Sequence, residues 1–174
     1  VIHLASYPRA KIVNTNPVEG VSQIVDGTTN MLWRWMQTQE AKKDPDFAPE
    51  RVFDIIGYGK TASSPTEAMP FKFLLDKDKS IMNRNKLLSA SQDLIDEKKD
   101  GYKPPKKPTF KLSGSQVRDK MLETLEKLFK EKKIKEHGVE VGKKLAFVLS
   151  GGNTTINKEL SEDHMYALEP VSYT

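Results

Sequence analysis

The chain has 174 residues, of which 37% are apolar, and this is enough for one domain with a hydrophobic core. It contains no cysteine, which excludes disulfides and thiolate metal sites and suits the reducing cytoplasm. No apolar run approaches the roughly 20 residues that span a bilayer, so no transmembrane segment is expected. The chain starts at Val1 without a basic segment or an initial methionine, which argues against a signal peptide and suggests a piece of a longer chain.

Charge is distributed unevenly, although the net charge is only +4. Residues 103–144 carry 13 Lys/Arg and 6 Asp/Glu, a net charge of +7 that leaves −3 for the rest. A basic half could attract the phosphates of nucleic acid or of coenzyme A. Acidic residues are interleaved throughout, which favours a solvated helical surface, and few aromatic residues lie near the lysines. Binding of nucleic acid is therefore not expected.

The first elements along the chain are the hardest to assign. Strands are predicted at Ile12–Val13 and Val21–Val25. Gly27 is then predicted to open a heavily apolar helix that ends at Asp44-Pro45. The next helix is expected to begin near Pro49.

The stretch that follows carries strong local signals. Glycines at 57 and 59 supply the positive-φ freedom that ends the preceding helix. Ser64 is the expected N-cap of a short helix, with Pro65 at its first position and Glu67 reaching back to the cap amide. The apolar run Phe71–Leu75 is then expected to form a short buried strand.

The rest of the chain is expected to be mainly helical, on the evidence of capping residues and apolar periodicity. The predicted elements are a helix from Asn83 or Asn85 to about Lys99, a stiff proline-rich connector, helices over Ser115–Glu131 and up to a glycine C-cap at 150–152, and a last helix from Ser161 to about Glu169. The middle two of these helices should form an αα-hairpin.

Several motifs occur in an order and at spacings that resemble one enzyme family. They are GKTASSPTEA at 59–68, IMNRNKLL at 81–88, DGYKPP at 100–105, and Glu136-His137 followed by GKKLAFVLSGG at 142–152. Together they resemble the crotonase (enoyl-CoA hydratase/isomerase) domain of multifunctional 3-hydroxyacyl-CoA dehydrogenases of fatty-acid β-oxidation, over roughly residues 18–169. One departure is Met69-Pro70, where the family usually has a glycine.

The resemblance implies a fold and a division of the chain. The parent fold would be an α/β crotonase layer, of which this chain is a predominantly α-helical part with a few short strands. Residues 1–101 would be the late part of the crotonase-like core, 102–114 a Pro/Lys-rich connector and 115–174 a C-terminal helical extension.

The resemblance also implies the chemistry, which is hydration of a trans-2-enoyl-CoA thioester. Two backbone amides would stabilise the thioester oxygen, and two carboxylates would handle water and proton. The amides and the first carboxylate would lie upstream of Val1, and Glu19 is the candidate for the second. Gly27, in what remains of a glycine-rich turn, and Lys143 and Lys144 are the candidate substrate-binding residues. No metal is implied; the hydratase step needs no cofactor, and NAD would serve the dehydrogenase region of the parent chain.

Two function classes remain. The first is an acyl-CoA enzyme fragment, inactive alone, that binds an acyl-CoA substrate. The alternative is a non-catalytic helical module for oligomerisation or interaction on a crotonase scaffold. The expected partners are further copies of the chain or the rest of a multifunctional chain. Apolar surface should be exposed where upstream strands of the crotonase layer are absent.

Overall fold

The computed structural model describes the backbone of residues 17–155 and 158–168, and the side chains of residues 27–155 and 158–168. These residues are mostly helical, with two short strands. The elements in chain order are α1 Pro17–Met36, α2 Gln39–Lys43, α3 Phe47–Gly57, α4 Pro65–Ala68, a 3₁₀ turn Arg84–Lys86 that leads into α5 Leu87–Lys98, β1 Thr109–Lys111, α6 Ser115–Lys130, α7 Glu136–Leu149, β2 Glu159–Ser161 and α8 Glu162–Ala167.

The chain forms two compact units. Among the described residues, one unit combines those up to Lys60 with those from Pro108 onward, and the other is Thr61–Lys107. Because β1 lies within the expected connector and the side chains of Phe110 and Leu112 are buried, the free part of that connector ends near Pro108. The ranges 1–101, 102–114 and 115–174 stay a prediction about the domains of the parent fold.

The core of the first unit lies between its helices and a small sheet. Helices α6 and α7 form the predicted αα-hairpin, α3 packs against both of them, and α1 packs against α3. Strand β1 pairs antiparallel with β2, so that Phe110 lies opposite Leu160, and both side chains are buried. Burying a phenylalanine or leucine side chain contributes about 1.5–3 kcal/mol, so the burial of this cross-strand pair stabilises the sheet.

The N-terminal predictions for secondary structure are wrong. The expected strand Val21–Val25 and the expected helix start at Gly27 both lie inside α1, which begins at Pro17. A proline at the first helical position is pre-organised for the helix, and packing on α3 overrides the weak helix propensity around Gly27. The helix expected to reach Asp44 is divided, because Thr38 caps the separate helix α2 by accepting a bond from the Ala41 amide. The strand expected at Ile12–Val13 lies outside the described residues.

Replacing Gly27 by alanine tests whether this residue lies inside a helix, as the structure shows, or in a glycine turn. An added Cβ meets no atom within 4 Å, and the residue is inside a helix, so alanine should stabilise the protein by about 0.5–1 kcal/mol. Urea unfolding followed by circular dichroism measures the change. A loss of stability would instead indicate the glycine turn that the sequence suggested.

Helix α3 ends in a Schellman motif at Gly59, as predicted, whereas the positive φ expected at Gly57 is wrong, because Gly57 is the last residue of the helix. The Gly59 amide donates to the Ile56 carbonyl at 3.0 Å and the Lys60 amide donates to Ile55 at 2.9 Å, with Gly59 at a φ of 58°. Helix α6 ends in the same arrangement, with Lys132 at a φ of 56° in place of the glycine. The positive φ expected at Gly59 is confirmed. The positive φ at Lys132 was not expected, because glycine is the residue usually found in this conformation.

The start of α4 in the second unit is confirmed, with one change. Ser64 accepts a 3.2 Å bond from the Glu67 amide and Pro65 is the first helical residue. The Glu67 carboxylate accepts bonds from the hydroxyl and the amide of Ser63, at 2.7 and 2.8 Å, rather than from the amide of the cap residue. These bonds lower the pKa of Glu67, the side-chain bond from Ser63 contributing most.

The predicted strand at Phe71–Leu75 is wrong, because this segment is a series of turns. The Lys72 amide donates to Met69 at 2.9 Å and the Phe73 amide to Ala68 at 3.1 Å. Lys72 has a φ of 58°, which reverses the chain and is incompatible with an extended strand. The Phe71 and Phe73 rings contact each other at 5.5 Å instead of entering a sheet.

Helix α5 forms as predicted but leaves its apolar face uncovered. Asn83 caps the preceding 3₁₀ turn by accepting a bond from the Asn85 amide, and no residue of α5 is buried. Ala68 is the one buried hydrophobic side chain of the second unit, Thr61–Lys107, all of which is described. The expectation of exposed apolar surface is confirmed most clearly at Met82 and Leu88, which are 83% and 82% exposed.

Candidate functional site

The glycine turn after α7 is a helix cap, as predicted. The Gly151 amide donates to Val148 at 3.0 Å and the Gly152 amide to Phe147 at 2.9 Å, with φ values of 82° and 72°. The His164 ring Nε2 lies 3.2 Å from the Gly151 carbonyl oxygen. Since both glycine amides already donate within the protein, this turn has no pair of free amides for a phosphate or an oxyanion.

Lys143 and Lys144, the candidate phosphate-binding residues, are adjacent on α7 and lie beside Glu140. The Lys143 Nζ is 2.8 Å from the Glu140 carboxylate, and both side chains are more than half exposed. The hydrogen bond from Lys143 and, more weakly, the charge of Lys144 lower the pKa of Glu140. Lys143, Lys144 and Glu140 together carry a net charge of +1. Binding of a phosphate to Lys143 would require this lysine to break its ion pair with Glu140.

Glu19 and Gly27, the other two candidates, lie on α1. Glu19 is the third residue of this helix, eight positions before Gly27, and its side chain lies outside the described part of the chain. Eight residues of helix span about 12 Å. Gly27 is in the helix interior, where backbone amides donate to carbonyls one turn earlier, so a helix takes the place of the glycine-rich turn that was expected there. The roles of all four candidates stay predictions.

An ion pair between the half-exposed Lys120 and the buried Asp46 joins the start of α3 to α6. Asp46 is 3% exposed and accepts a 2.7 Å bond from the Lys120 Nζ, while Glu50 lies 3.4 Å from the same nitrogen. The bond to Asp46 is the main cause of a raised pKa for Lys120. Because the partners are 74 residues apart, no local pattern could have predicted the pair. The pair connects two structural elements, and the Lys120 ammonium group contacts both carboxylates.

The basic half predicted from the sequence is most concentrated at the hairpin loop between α6 and α7. Lys133 lies 2.7 Å from Glu131, and nearby Lys60 lies over the Tyr58 ring, 5.7 Å from its centroid. The pKa of Lys133 is raised, chiefly by its bond to Glu131. These pairs agree with the interpretation of the basic segment as a solvated surface with interleaved acids.

The glycines at the end of α3 do not form the turn of a dinucleotide-binding fold. Gly57, Gly59 and Ala62 have the G-x-G-x-x-A spacing of an NAD-binding turn, but that turn joins a strand to a helix, whereas this one follows α3. Across residues 27–155 and 158–168, no three His, Asp or Glu side chains are grouped as metal ligands. Nor does any helix in the described part combine the length and apolar character needed to cross a membrane.

Comparison with known proteins shows a similarity to a bacterial protein. No family model matches the sequence, and no solved structure matches it. Over 127 residues the chain is 29% identical to a Bacillus subtilis (strain 168) protein described as a probable 3-hydroxyacyl-CoA dehydrogenase. The alignment covers 72% of this chain and 16% of that protein, so the chain spans about a sixth of the relative's length. This similarity supports the dehydrogenase part of the resemblance, and the crotonase part stays a prediction.

Proposed function

We propose that the chain is part of an acyl-CoA enzyme of fatty-acid β-oxidation, within a longer polypeptide that combines enoyl-CoA hydration with 3-hydroxyacyl-CoA dehydrogenation. The observation that carries the proposal is the similarity to a probable 3-hydroxyacyl-CoA dehydrogenase over 72% of the chain. The two reactions are consecutive, because hydration of a trans-2-enoyl thioester yields the 3-hydroxyacyl thioester that a dehydrogenase then oxidises. The resemblance of the motifs at 59–68, 81–88, 100–105 and 142–152 to a crotonase domain supports the hydration step for this segment.

In this proposal the residues of the chain contribute proton transfer and the binding of phosphate groups. Water adds its oxygen to the β-carbon of the thioester and a proton goes to the α-carbon, and Glu19 would move one of these protons. Lys143 and Lys144 would neutralise phosphates of coenzyme A. The amides that stabilise the thioester oxygen would come from a part of the longer polypeptide outside this chain, as would the NAD site. The 174-residue chain is therefore expected to be inactive alone.

The test is hydration of crotonyl-CoA by the longer polypeptide, followed by the loss of enoyl-thioester absorbance. Replacing Glu19 by glutamine keeps the size of the side chain and removes its acid–base function, so kcat should fall by about 10²–10⁴-fold. The NAD-dependent oxidation of a 3-hydroxyacyl-CoA should be unchanged, because that reaction uses another region.

Glu123→Gln is the matched control, since Glu123 is an exposed carboxylate on α6. It should leave both activities unchanged. The catalytic assignment fails if Glu19→Gln retains the hydration rate within twofold, and the whole proposal fails if the longer polypeptide neither hydrates crotonyl-CoA nor oxidises its product.

A second candidate function is a helical interaction module, and one observation favours it. The second unit has one buried hydrophobic side chain, Ala68, and exposes Met82, Leu87, Leu88 and Ile95. So small a core cannot stabilise 47 residues, so this apolar surface needs a partner. Stable oligomers without turnover of crotonyl-CoA in the longer polypeptide would support this candidate over the first.

A further inference from the structure

The dipeptide Asp-Gly occurs twice in this chain, at Asp26-Gly27 and at Asp100-Gly101, and the structure places the two copies in opposite environments. Gly27 lies inside the 20-residue helix α1, whereas Asp100 and Gly101 lie just after the end of α5, in a turn that leads into the proline-rich connector. An aspartate reacts with the next backbone nitrogen most readily when glycine follows it, because glycine has no Cβ to hinder the approach. The structure therefore decides which copy can react.

Both groups that this reaction needs are free at Asp100-Gly101. The Tyr102 amide donates to the Lys99 carbonyl at 3.4 Å, and this long bond closes a turn in which Gly101 has a φ of 81°. Asp100 and Gly101 are exposed, and within the described residues neither the Asp100 carboxylate nor the Gly101 amide makes a hydrogen bond. A surface turn with one long bond opens at little cost in free energy, so the carboxyl carbon and the next nitrogen can meet.

The copy in α1 is protected by its helix. Backbone amides inside a helix donate to carbonyls one turn earlier, and a helical backbone keeps each nitrogen away from the carboxyl carbon of the residue before it. Reaction at Asp26 therefore requires local opening of α1, which packs against α3.

We propose that Asp100 is a site of spontaneous isomerisation to isoaspartate, through a succinimide ring formed with Gly101. The Gly101 nitrogen attacks Cγ of the Asp100 carboxyl group, the N–Cγ bond forms, and the amide proton leaves with the carboxyl OH as water. A water molecule then opens the ring. Attack at Cγ restores aspartate, whereas attack at the main-chain carbonyl of Asp100 breaks its bond to the Gly101 nitrogen and yields isoaspartate. The steps release one water and consume one, and they need no other reactant.

The product alters the chain at a defined point. Isoaspartate adds one carbon to the main chain between α5 and the connector, and it leaves a free carboxylate on Cα. This carboxylate is the group that an isoaspartate carboxyl methyltransferase methylates, with S-adenosylmethionine as the methyl donor. The inference goes beyond the proposed function and does not depend on hydratase activity.

Ageing of the purified protein for several weeks at neutral pH tests the proposal. Trypsin places the two dipeptides on different peptides, and an endoprotease that cuts before aspartate does not cut before isoaspartate. The fraction of isoaspartate at position 100 should exceed that at position 26 at least about tenfold, because reaction at Asp26 needs α1 to open. In urea, where both dipeptides are unfolded, the two fractions should become similar.

Two variants of Asp100 supply the chemical controls. Asp100→Asn forms the same succinimide with loss of ammonia, which leaves more readily than water, so this variant should accumulate isoaspartate faster than the wild type. Asp100→Glu would have to form a larger ring and should give no isomer at position 100. Since each variant changes one exposed side chain, circular dichroism should be unchanged.

Three results would overturn the proposal. They are no isoaspartate at position 100, equal fractions at both positions in the folded protein, and a difference between the positions that persists in urea. None of these outcomes bears on acyl-CoA chemistry, so failure here leaves that proposal standing.

Discussion

Replacing Gly114 by alanine should lower the free energy of unfolding of the first unit by about 3 kcal/mol or more. Gly114 has a φ of 59° and a ψ of −124°, a backbone region that is essentially restricted to glycine. A Cβ would also overlap the carbonyl oxygen of Thr154. A backbone atom cannot rotate away as a flexible side chain does, so the loop after α7 must move. Urea unfolding of the purified variant, followed by circular dichroism, measures the effect.

Gly57→Ala is the matched control for this substitution. Gly57 is the last residue of α3 and an added Cβ meets no atom within 4 Å, so its stability should change by less than about 0.5 kcal/mol. Equal effects of the two substitutions would show that the close approach of Gly114 to the loop is not formed in solution.

Lys120→Met should destabilise the protein by about 1–3 kcal/mol, since it leaves the buried Asp46 carboxylate without its half-exposed cation. Asp46 is 3% exposed, and its second oxygen, Oδ1, is buried without a hydrogen-bond partner. The methionine retains most of the lysine's apolar contacts, so the change reports the lost charge. Thermal and urea unfolding should agree on the size of the effect.

Lys143→Met is the control that separates the effect of a buried carboxylate from the effect of a short distance between the charged groups. The Lys143–Glu140 pair, at 2.8 Å, is nearly as short as the 2.7 Å Lys120–Asp46 pair, but both of its partners are exposed. Exposed pairs are screened by water, so the control should show no measurable loss. Similar losses in both variants would contradict the buried placement of Asp46.

The Lys120–Asp46 pair makes the free energy of unfolding depend on pH, and the raised pKa of Lys120 fixes the direction of this dependence. The pKa of Lys120 is raised above its ordinary value of 10.5 in the folded protein, so its contribution is fully present below pH 10.5. It is lost as pH rises through the folded pKa. The difference in stability between wild type and Lys120→Met should therefore be constant near neutral pH and shrink above pH 10.5.

The elements that the sequence predicted correctly have signals within a few residues of where they begin or end. Ser64 and Ser161 cap α4 and α8 by accepting an amide bond three residues later. Gly59 and Gly151 end α3 and α7 at positive φ. Such bonds depend on local chemistry alone, so they can be recognised without knowing the fold.

The errors occur where distant contacts or strain decide the structure. Val21–Val25 has the composition of a strand, yet it belongs to a helix that packs on α3. Lys72 and Lys132 adopt a conformation that composition would assign to glycine. Prediction of the candidate site met the same limit. Glu19 and the two lysines were proposed from a resemblance, and the Asp46–Lys120 pair could not be predicted because it joins distant segments.

The first unit is assembled from two separated parts of the chain, and this has a consequence for how the protein folds during synthesis. Val52 and Phe53 on α3 are buried in a unit completed by α6 and α7, which follow an intervening segment of 47 residues. Closing so long a loop costs little at equilibrium, since doubling its length adds only about 0.6 kcal/mol, but non-local contacts form slowly. On the ribosome, the side chains of α3 that α6 and α7 cover should therefore stay exposed until Leu149 has emerged.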